Sequence, residues 1–254
     1  MAGTGGTMTY GAALRRLRGA QKTAKGVSLY SRYVNRPVGR LLAAAAYRAG
    51  LGPNQVTALS ALTSGAAIAA VALAAPSAWL ALAVWAGLFL GFALDSADGQ
   101  LARLRGESNP AGEWLDHAVD CAKITALHAA VLISFHRFFA LPGEGWLLVP
   151  LVFQLAAVLI FFGGLLTDKL KHAHPAPAAP AAAPVSPPSR RRALALLPAD
   201  YGVLCALFLL LGDERAFRTG YAVLCAVYVL FCAAFSVKWF RELSALKVSS
   251  TPLS

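Results

Sequence analysis

The chain has 254 residues, of which 57% are hydrophobic and 14% are charged, and its mean hydropathy is +0.58. Soluble domains carry about 25% charged residues, so this composition excludes an ordinary soluble protein and indicates an integral membrane protein. The formal net charge of +11 does not predict nucleic-acid binding, because the basic residues cluster in the segments between apolar runs, as membrane topology requires.

Residues 1–50 are predicted to form a cytosolic tail with a juxtamembrane amphipathic helix. Residues 1–9 are rich in glycine and threonine, and residues 10–50 hold nine Lys or Arg and no acidic residue. Leucines and tyrosines are interleaved with these cations, which favours one or two interfacial helices lying on an anionic leaflet. A solvated cytosolic tail is the alternative. The segment shows no cleavable signal pattern, since it has no early apolar core.

Six apolar runs follow, and they predict an all-α polytopic membrane protein with six transmembrane helices. A helix needs about 20 apolar residues to cross roughly 30 Å of hydrocarbon. The fifth run is short, and the six lie near residues 54–75, 77–99, 113–137, 146–167, 199–212 and 217–240. Together they make a transmembrane domain over residues 51–245, with a C-terminal tail at 246–254.

Neither the cysteines nor the Ala/Pro-rich loop is predicted to form a metal site, a disulfide or a catalytic site. The cysteines lie in apolar runs without a Cys-x-x-Cys motif, which predicts small buried side chains rather than ligands or disulfides. The cytosolic loop at 173–192 is rich in alanine and proline and ends in three arginines, which predicts an extended connection. His172 and His174 stand at its start and are interpreted as solvated rather than metal-binding. The four cysteines are Cys121, Cys205, Cys225 and Cys232.

Basic residues are distributed unevenly between the two sides of the membrane. With a cytosolic N-terminus, the inside segments carry 19 Lys or Arg, and the outside segments carry only Arg137, Arg215 and Arg218. Cytoplasmic segments of membrane proteins are enriched in Lys and Arg. We therefore expect the protein in the cell (inner, or cytoplasmic) membrane, with both termini in the cytoplasm.

Four aspartates within 26 residues are the most informative feature of the chain. Asp95 and Asp98 are three residues apart, and Asp116 and Asp120 are four apart, so on two helices each pair shares one face. A carboxylate at a helix centre in a bilayer costs about 2.5 kcal/mol or more. Hard divalent cations are the natural compensation, and the spacing predicts a site for Mg²⁺ or Mn²⁺ at the cytosolic membrane edge.

Glycines at helical spacing accompany the aspartates. Gly87 and Gly91 precede Asp95 by about two turns and one turn on the same face, and Gly112 precedes Asp116 by one turn. Small residues at such positions let a neighbouring helix approach closely or leave room for a ligand. We therefore expect close helix packing before the first aspartate pair and open space beside the second.

A fixed cation completes the predicted site. The guanidinium group of Arg103 carries a permanent positive charge that can bind phosphate oxygens. Gly99 and Ala102 have small side chains, which leave the backbone accessible to a bulky ligand. Two metal ions can clamp a phosphoryl group and neutralise its attacking and leaving oxygens, so the site is predicted to bind a diphosphate. The alternative is purely structural, with salt bridges to the aspartates from Arg103, Arg105 and Lys123.

At these positions the chain resembles the CDP-alcohol phosphotransferase (CDP-alcohol phosphatidyltransferase) family of integral membrane enzymes. The residues that match the family signature, without a departure, are Asp95-x2-Asp98-Gly99-x2-Ala102-Arg103-x8-Gly112-x3-Asp116-x3-Asp120. Residues 53–57, Pro-Asn-Gln-Val-Thr, also resemble the start of the family's first helix. The resemblance covers roughly residues 30–245.

The resemblance implies a reaction and a set of roles. A CDP-linked donor gives its phosphoryl-alcohol moiety, taken to be phosphatidyl, to an acceptor alcohol, and CMP leaves, as in phospholipid biosynthesis. Two Mg²⁺ or Mn²⁺ ions are implied, one on Asp95, Asp98 and Asp116 and the other on Asp95, Asp116 and Asp120. Asp120 would also be the general base, and a homodimer in contact with membrane lipids is implied. The residues that would bind the CDP part are Asn54, Thr57, Gly99, Ala102, Arg103, Asn109 and Gly112.

The acceptor alcohol is left open by the sequence. Family members that use phosphorylated acceptors often place Arg or Lys directly after the last aspartate, whereas this chain has Cys121 there, and Lys123 is the nearest cation. His117 follows the third aspartate, as in members that transfer amino alcohols. His117 and Lys123 are therefore acceptor-side candidates, and the pattern leans against a phosphorylated acceptor unless Lys123 or Arg190–Arg192 supplies the charge.

Three further polar residues receive weaker interpretations. His128 and His136 are expected to be helix-packing or interfacial residues. Asp200, at the cytosolic end of the fifth run, is expected to close the site or to pair with Arg190–Arg192.

Two other classes of membrane protein use acidic sites. An intramembrane prenyltransferase also holds a diphosphate on helix-borne aspartates, but it breaks a C–O bond and releases pyrophosphate rather than CMP. A divalent-cation transporter would place its acids near the bilayer midplane on broken helices. The aspartates here are predicted at cytosolic helix ends beside arginines, which would repel a permeating cation.

Overall fold

The computed structural model describes residues 9–19, 29–107, 109–174 and 197–246, and all regular structure in these ranges is helical. Most of the predicted loop at 173–192 lies outside the described residues, as do Lys22, Lys25 and Lys247. In chain order the helices are α1 (Tyr10–Gly19), α2 (Arg36–Arg48), α3 (Pro53–Leu73), α4 (Ala78–Arg105), α5 (Pro110–Phe138), α6 (Leu148–Ala173), α7 (Tyr201–Leu207) and α8 (Glu214–Ser244).

Five of the described helices are long and apolar enough to cross a membrane. The segments are Pro53–Leu73, Ala78–Arg105, Pro110–Phe138, Glu144–Ala173 and Glu214–Ser244. The fifth predicted run, 199–212, instead forms a shorter apolar helix at Tyr201–Leu210, about 15 Å long at 1.5 Å per residue. The all-helical membrane architecture is confirmed with five candidate spans, and the sixth span stays a prediction.

The second and third spans extend beyond the apolar runs, because polar helix signals rather than hydropathy set their ends. α4 continues past residue 99 to Arg105 and stops at Gly106, whose φ of +70° is in the left-handed region that favours glycine. α5 begins at Pro110, directly after its cap Asn109. The two aspartate pairs therefore lie within long continuous helices that are joined by a short connection.

Small residues let α3 pack closely on α4, as the glycine spacing predicts. A Cβ added at Gly91 would clash with Ser64 Oγ, and one added at Gly87 would lie 2.8 Å from the Ala67 Cβ. The Ser60 hydroxyl donates a 2.7 Å hydrogen bond to the Gly91 carbonyl oxygen. α3 also packs against α5, so it sets the positions of both aspartate-bearing helices.

Gly91→Ala is expected to destabilise the protein by about 1–3 kcal/mol, because the added methyl group overpacks the α3–α4 contact. The measurement is thermal unfolding in detergent. Gly65→Ala is the matched control, since a Cβ at Gly65 has nothing within 4 Å, and it should leave the unfolding temperature unchanged or slightly raised. Equal unfolding temperatures for the two variants would contradict the close packing.

An aromatic core joins α5, α6, α7 and α8 away from the aspartates. Phe135, Phe153, Phe217 and Tyr221 are all almost completely buried in it. His128 lies in the same core with its Nδ1 2.6 Å from the Tyr221 hydroxyl, as expected for a helix-packing histidine. His136 is exposed on α5.

The first two helices pack on the end of α4 that carries the aspartates. α1 buries Ala13 and Leu17 and exposes Arg15, Arg16 and Arg18. A second apolar cluster joins this face to α2, α3 and the last turns of α4. The basic N-terminal segment thus contributes two described helices to this end of the bundle, and an amphipathic helix lying on a lipid leaflet stays a prediction.

Candidate active site

Three helix ends form the candidate site: the start of α3, the end of α4 and the start of α5. Pro53 stands in the first turn of α3, where its missing N–H costs nothing. The Asn109 side-chain oxygen caps α5 by accepting a hydrogen bond from the Ala111 N–H at 2.9 Å. Only residues 106–109 separate α4 from α5, so all four aspartates lie at the same end of the helices.

A lysine joins the two aspartate pairs. Lys123 Nζ lies 2.5 Å from Asp95 Oδ1 and 3.3 Å from Asp120 Oδ1, and it donates a 2.9 Å hydrogen bond to Ser60 Oγ. Lys123 is only 8% exposed, and a buried ammonium requires such compensation. The carboxylates of α4 and α5 therefore converge on one position at which a cation is held.

Asp98 lies next to the start of α3. The Thr57 hydroxyl donates a 2.7 Å hydrogen bond to Asp98 Oδ2, and the Gly99 N–H donates one to Oδ1. The negative charges of Asp95 and Asp116 also act on Asp98. Thr57, predicted to bind the CDP part, thus orients one of the predicted metal ligands.

The second aspartate pair includes a histidine. Asp116, His117 and Asp120 offer ligand atoms that lie within 4.8 Å of one another. His117 Nε2 is also 3.8 Å from Glu113 Oε1. His117, predicted on the acceptor side, therefore lies within reach of a cation that these two aspartates would bind.

The alternative of purely structural salt bridges to the aspartates involved three cations, and one of them, Lys123, forms such bridges. Lys123 pairs with two aspartates, whereas Arg105 donates a 2.8 Å hydrogen bond to the Leu51 carbonyl oxygen and lies 3.6 Å from Glu107. Arg103 is exposed and near Asp98, and in the described part of the chain it forms no ion pair with an aspartate. Arg103 thus remains available to a ligand at the end of the bundle.

The other residues predicted to bind CDP lie at the same helix ends. A Cβ added at Gly112 would lie 3.0 Å from Asn54 Oδ1, and one added at Gly99 would lie 3.5 Å from Arg103 Nη1. Side chains at Gly112 or Gly99 would therefore fill the space beside these polar groups. The remaining two are Ala102, which is half-buried, and Asn109, whose side-chain oxygen caps α5.

A buried carboxylate fastens the N-terminal segment to the start of α7. Asp200 accepts hydrogen bonds from the Ser31 N–H at 3.2 Å, the Ser31 hydroxyl at 2.8 Å and the Gly202 N–H at 2.8 Å. The Tyr30 ring lies directly over Gly202, and burial raises the pKa of Tyr30 to about 12. That Asp200 closes the site stays a prediction, and any pairing with Arg190–Arg192 lies outside the described residues.

The predicted His-x-His pair is separate from this site. His172 Nδ1 is 2.7 Å from the Asp168 carbonyl oxygen, and His174 Nδ1 is 3.2 Å from the Leu170 carbonyl oxygen. Each imidazole therefore meets the backbone of its own helix.

Three residues at the site are absent from the sequence-based prediction. Ser60 and Ser64 follow Thr57 by three and seven residues, and this polar stripe along an apolar helix is a signal that could have identified them. Tyr201 comes from α7 and reaches the aspartates only through tertiary packing, so no local pattern could identify it.

The comparisons with known proteins agree with the geometry. A family model described as CDP-alcohol phosphatidyltransferase matches residues 51–228. The fold is similar to phosphatidylinositol phosphate synthase (PgsA1) of Mycobacterium tuberculosis, solved once with CDP-DAG bound and once in complex with manganese and citrate. The two alignments show 18% and 19% identity, cover 87% of this chain and 98% and 94% of those chains, and have a TM-score of 0.54. No protein of curated function matches the sequence.

Proposed function

The chain belongs to the CDP-alcohol phosphatidyltransferase family, and we propose that its four aspartates hold two divalent cations, Mg²⁺ or Mn²⁺, for the diphosphate of a CDP-linked donor. As a member it is a transferase of phospholipid synthesis that moves a phosphatidyl group from a CDP-linked donor to an acceptor alcohol. The donor that we propose is CDP-diacylglycerol, the ligand named for the structurally similar synthase.

The aspartate carboxylates are suitable ligands for such cations. Asp95 and Asp120 already converge on one ammonium group, and the ligand atoms of Asp116 and Asp120 lie within 4.8 Å of each other, close enough to bind one cation. Carboxylate oxygens are the ligands that Mg²⁺ and Mn²⁺ prefer. When bound, the cations would neutralise charge on the diphosphate oxygens during transfer. This convergence of carboxylates from two helices is the observation that carries the proposal.

We assign the proton transfer to Asp120. Its carboxylate would accept the proton of the acceptor hydroxyl, whose oxygen then forms a bond to the phosphorus that carries the donor alcohol. The bond from that phosphorus to the bridging diphosphate oxygen breaks, and CMP leaves with the electron pair. Asp120 is close to Lys123 and Asp95, so its position is held by neighbours on both helices.

The donor side of the site is assigned to the ends of α3, α4 and α5. Asn54 and Gly112 adjoin each other, and Gly99 adjoins Arg103, which leaves room for the cytidine part beside polar groups. Arg103 would bind diphosphate oxygens with its planar guanidinium group. Thr57 would act through Asp98, to which it donates a hydrogen bond, while Ala102 and Asn109 would border the pocket.

CMP release by the purified protein in nanodiscs tests this proposal. The reaction would contain Mg²⁺ or Mn²⁺, CDP-diacylglycerol and, in turn, inositol, inositol phosphate, glycerol, glycerol phosphate, serine or ethanolamine. Metal-dependent CMP release with at least one acceptor is expected. Release of pyrophosphate from a prenyl diphosphate would instead identify the prenyltransferase alternative, and divalent-cation uptake into vesicles without CMP would identify the transporter.

We also propose that the aspartate end of the helices faces the cytoplasm, with both termini on that side. Lys169 pairs with Glu113, and Lys171 pairs with Glu242, so lysines of α6 lie at this end. At the opposite ends of the helices, Arg218 donates a hydrogen bond to the Ala140 carbonyl oxygen. This distribution supports the orientation that the positive-inside rule predicts.

Cysteine labelling in intact cells is expected to follow this orientation. In a background without the four native cysteines, Glu144→Cys should react with a membrane-impermeant maleimide, because residue 144 is exposed at the outer end. Glu107→Cys, exposed at the aspartate end, should react only after the cells are opened. The reverse pattern would place the site outside the cytoplasm.

The proposal includes a homodimer embedded in membrane lipid, as the family resemblance implies. The outward face of α6 presents exposed apolar residues that lipid or a second copy would cover, among them Leu151, Leu155, Leu159 and Phe162. Crosslinking in native membranes at this face, followed by mass determination, tests the dimer.

A further inference from the structure

A cavity of about 110 Å³ adjoins Asp95 and Asp120. Asp95, Asp120 and Lys123 line one side of it, and Phe92 and Ile124 supply apolar walls. A single buried water needs about 10–15 Å³, so several non-hydrogen atoms of a small ligand fit. The cavity therefore offers a small molecule direct contact with the proposed general base.

Two hydroxyl groups of this cavity lack a strong hydrogen-bond partner in the described part of the chain. Ser64 and Tyr201 line it, and in the described part of the chain the oxygens Ser64 Oγ and Tyr201 Oη are buried without a hydrogen bond. Ser64 is 1% exposed. The thiol of Cys205 lies near the Tyr201 hydroxyl, but thiols are weak partners. Buried polar groups are almost always hydrogen-bonded, so a pair of unsatisfied hydroxyls in one cavity indicates a polar ligand.

Tyr201 is held firmly at this position. Its ring makes an edge contact with Phe92 at 5.1 Å between centroids, and it directly follows Asp200, whose hydrogen bonds to Ser31 and Gly202 fix the start of α7. A fixed hydroxyl is suited to select a ligand, because little rotational freedom is lost on binding.

The charges of the cavity disfavour an anionic ligand. Among its lining residues Lys123 is the cation, and its ammonium is already shared between Asp95, Asp120 and Ser60. A phosphate placed there would find no unshared side-chain cation in the lining, and the divalent cations proposed on Asp95 and Asp120 are assigned to the diphosphate of the donor. An uncharged molecule needs no such cation.

We propose that this cavity receives the acceptor alcohol and that Tyr201 and Ser64 bind its hydroxyl groups other than the one that reacts. The acceptor is then a small uncharged polyol, such as glycerol or inositol, rather than its phosphate ester. This inference rests on the proposed function, since it assigns the acceptor to the same site. Tyr201 and Ser64 are specificity-determining residues, and the reacting hydroxyl points to Asp120.

The first test separates the effects on acceptor and donor. Tyr201→Phe and Ser64→Ala should each raise the KM for the preferred polyol about fivefold, the usual effect of losing one hydrogen bond, while the KM for CDP-diacylglycerol changes less than twofold. Tyr47→Phe and Ser134→Ala are matched controls. Ser134 Oγ is also buried without a partner in the described residues but lies outside the cavity. Unchanged polyol KM values in the two cavity variants, or faster reaction with a phosphorylated acceptor, would overturn the inference.

A second test does not depend on catalysis. Tritiated inositol and tritiated glycerol are bound to the protein in nanodiscs with Mn²⁺ but without donor. Binding that falls about fivefold in Tyr201→Phe and stays constant in Tyr47→Phe supports the acceptor cavity, even if no CMP is released and the transferase proposal fails. Equal or undetectable binding in all variants means that the cavity holds only water and overturns the inference while leaving the transferase proposal intact.

Discussion

Asp120→Asn is expected to lower the rate of metal-dependent CMP release by about 10²–10⁴-fold, the range found when a general base is removed. Asparagine keeps the shape of the side chain but cannot accept the proton of the acceptor hydroxyl. It also weakens one metal ligand, so the Mn²⁺ concentration needed for half-maximal activity should rise. The measurement is the initial rate of CMP release in nanodiscs over a range of Mn²⁺ concentrations.

Glu113→Gln is the control for this prediction. Glu113 lies on the same helix, two turns before Asp120, and its exposed carboxylate pairs with Lys169 and His117 rather than with the aspartates. The initial rate of CMP release by Glu113→Gln should stay within about twofold of the wild-type rate, since exposed ion pairs contribute at most about 1 kcal/mol. If Asp120→Asn retained the activity of Glu113→Gln at saturating Mn²⁺, Asp120 would not be the base.

Lys123→Met is expected to lower the free energy of unfolding by about 3–5 kcal/mol when divalent cations are removed with EDTA. Removing one partner of a buried ion pair leaves the others uncompensated, and here the carboxylates of Asp95 and Asp120 would be left facing each other. Added Mn²⁺ should restore much of the loss, because a divalent cation can take over the compensation. Thermal unfolding in detergent, with EDTA and with Mn²⁺, measures both effects.

The matched control is Lys169→Met, which removes an exposed lysine paired with Glu113. It should lower the free energy of unfolding by no more than about 1 kcal/mol, with or without Mn²⁺. An equal loss of unfolding free energy in both variants, or no recovery of stability in Lys123→Met with Mn²⁺, would show that the Lys123 ammonium does not occupy a cation-binding position. Recovery specific to Lys123→Met would support the metal assignment independently of catalysis.

The positions of the four aspartates could be predicted because helix geometry is regular. Spacings of three and four residues place each pair on one face, and the flanking apolar runs place these faces at helix ends. Gly87 and Gly91 were predictable for the same reason, and the structure confirms their close contacts with α3. The span boundaries were less accurate, since Gly106 and Asn109 rather than hydropathy determine where α4 and α5 meet.

The partners of Lys123 could not be predicted from residue spacing alone. The sequence offered the acceptor side and a salt bridge as alternatives, and both are compatible with a cation three residues after Asp120. Whether its ammonium reaches Asp95 depends on the distance between α4 and α5, which is set by their packing on α3. In the structure it binds both carboxylates and Ser60.

The sequence by itself determined the class of protein, the helical membrane architecture and the aspartate signature, because composition, hydropathy and helical period are properties of neighbouring residues. Only the tertiary structure brought Tyr201 of α7 and Ser64 of α3 to the cavity beside Asp120. Contacts between helices depend on side-chain packing over distant parts of the chain, and no spacing along one helix encodes them. The acceptor side of the site is therefore a property of the fold, whereas the metal side follows from the motif.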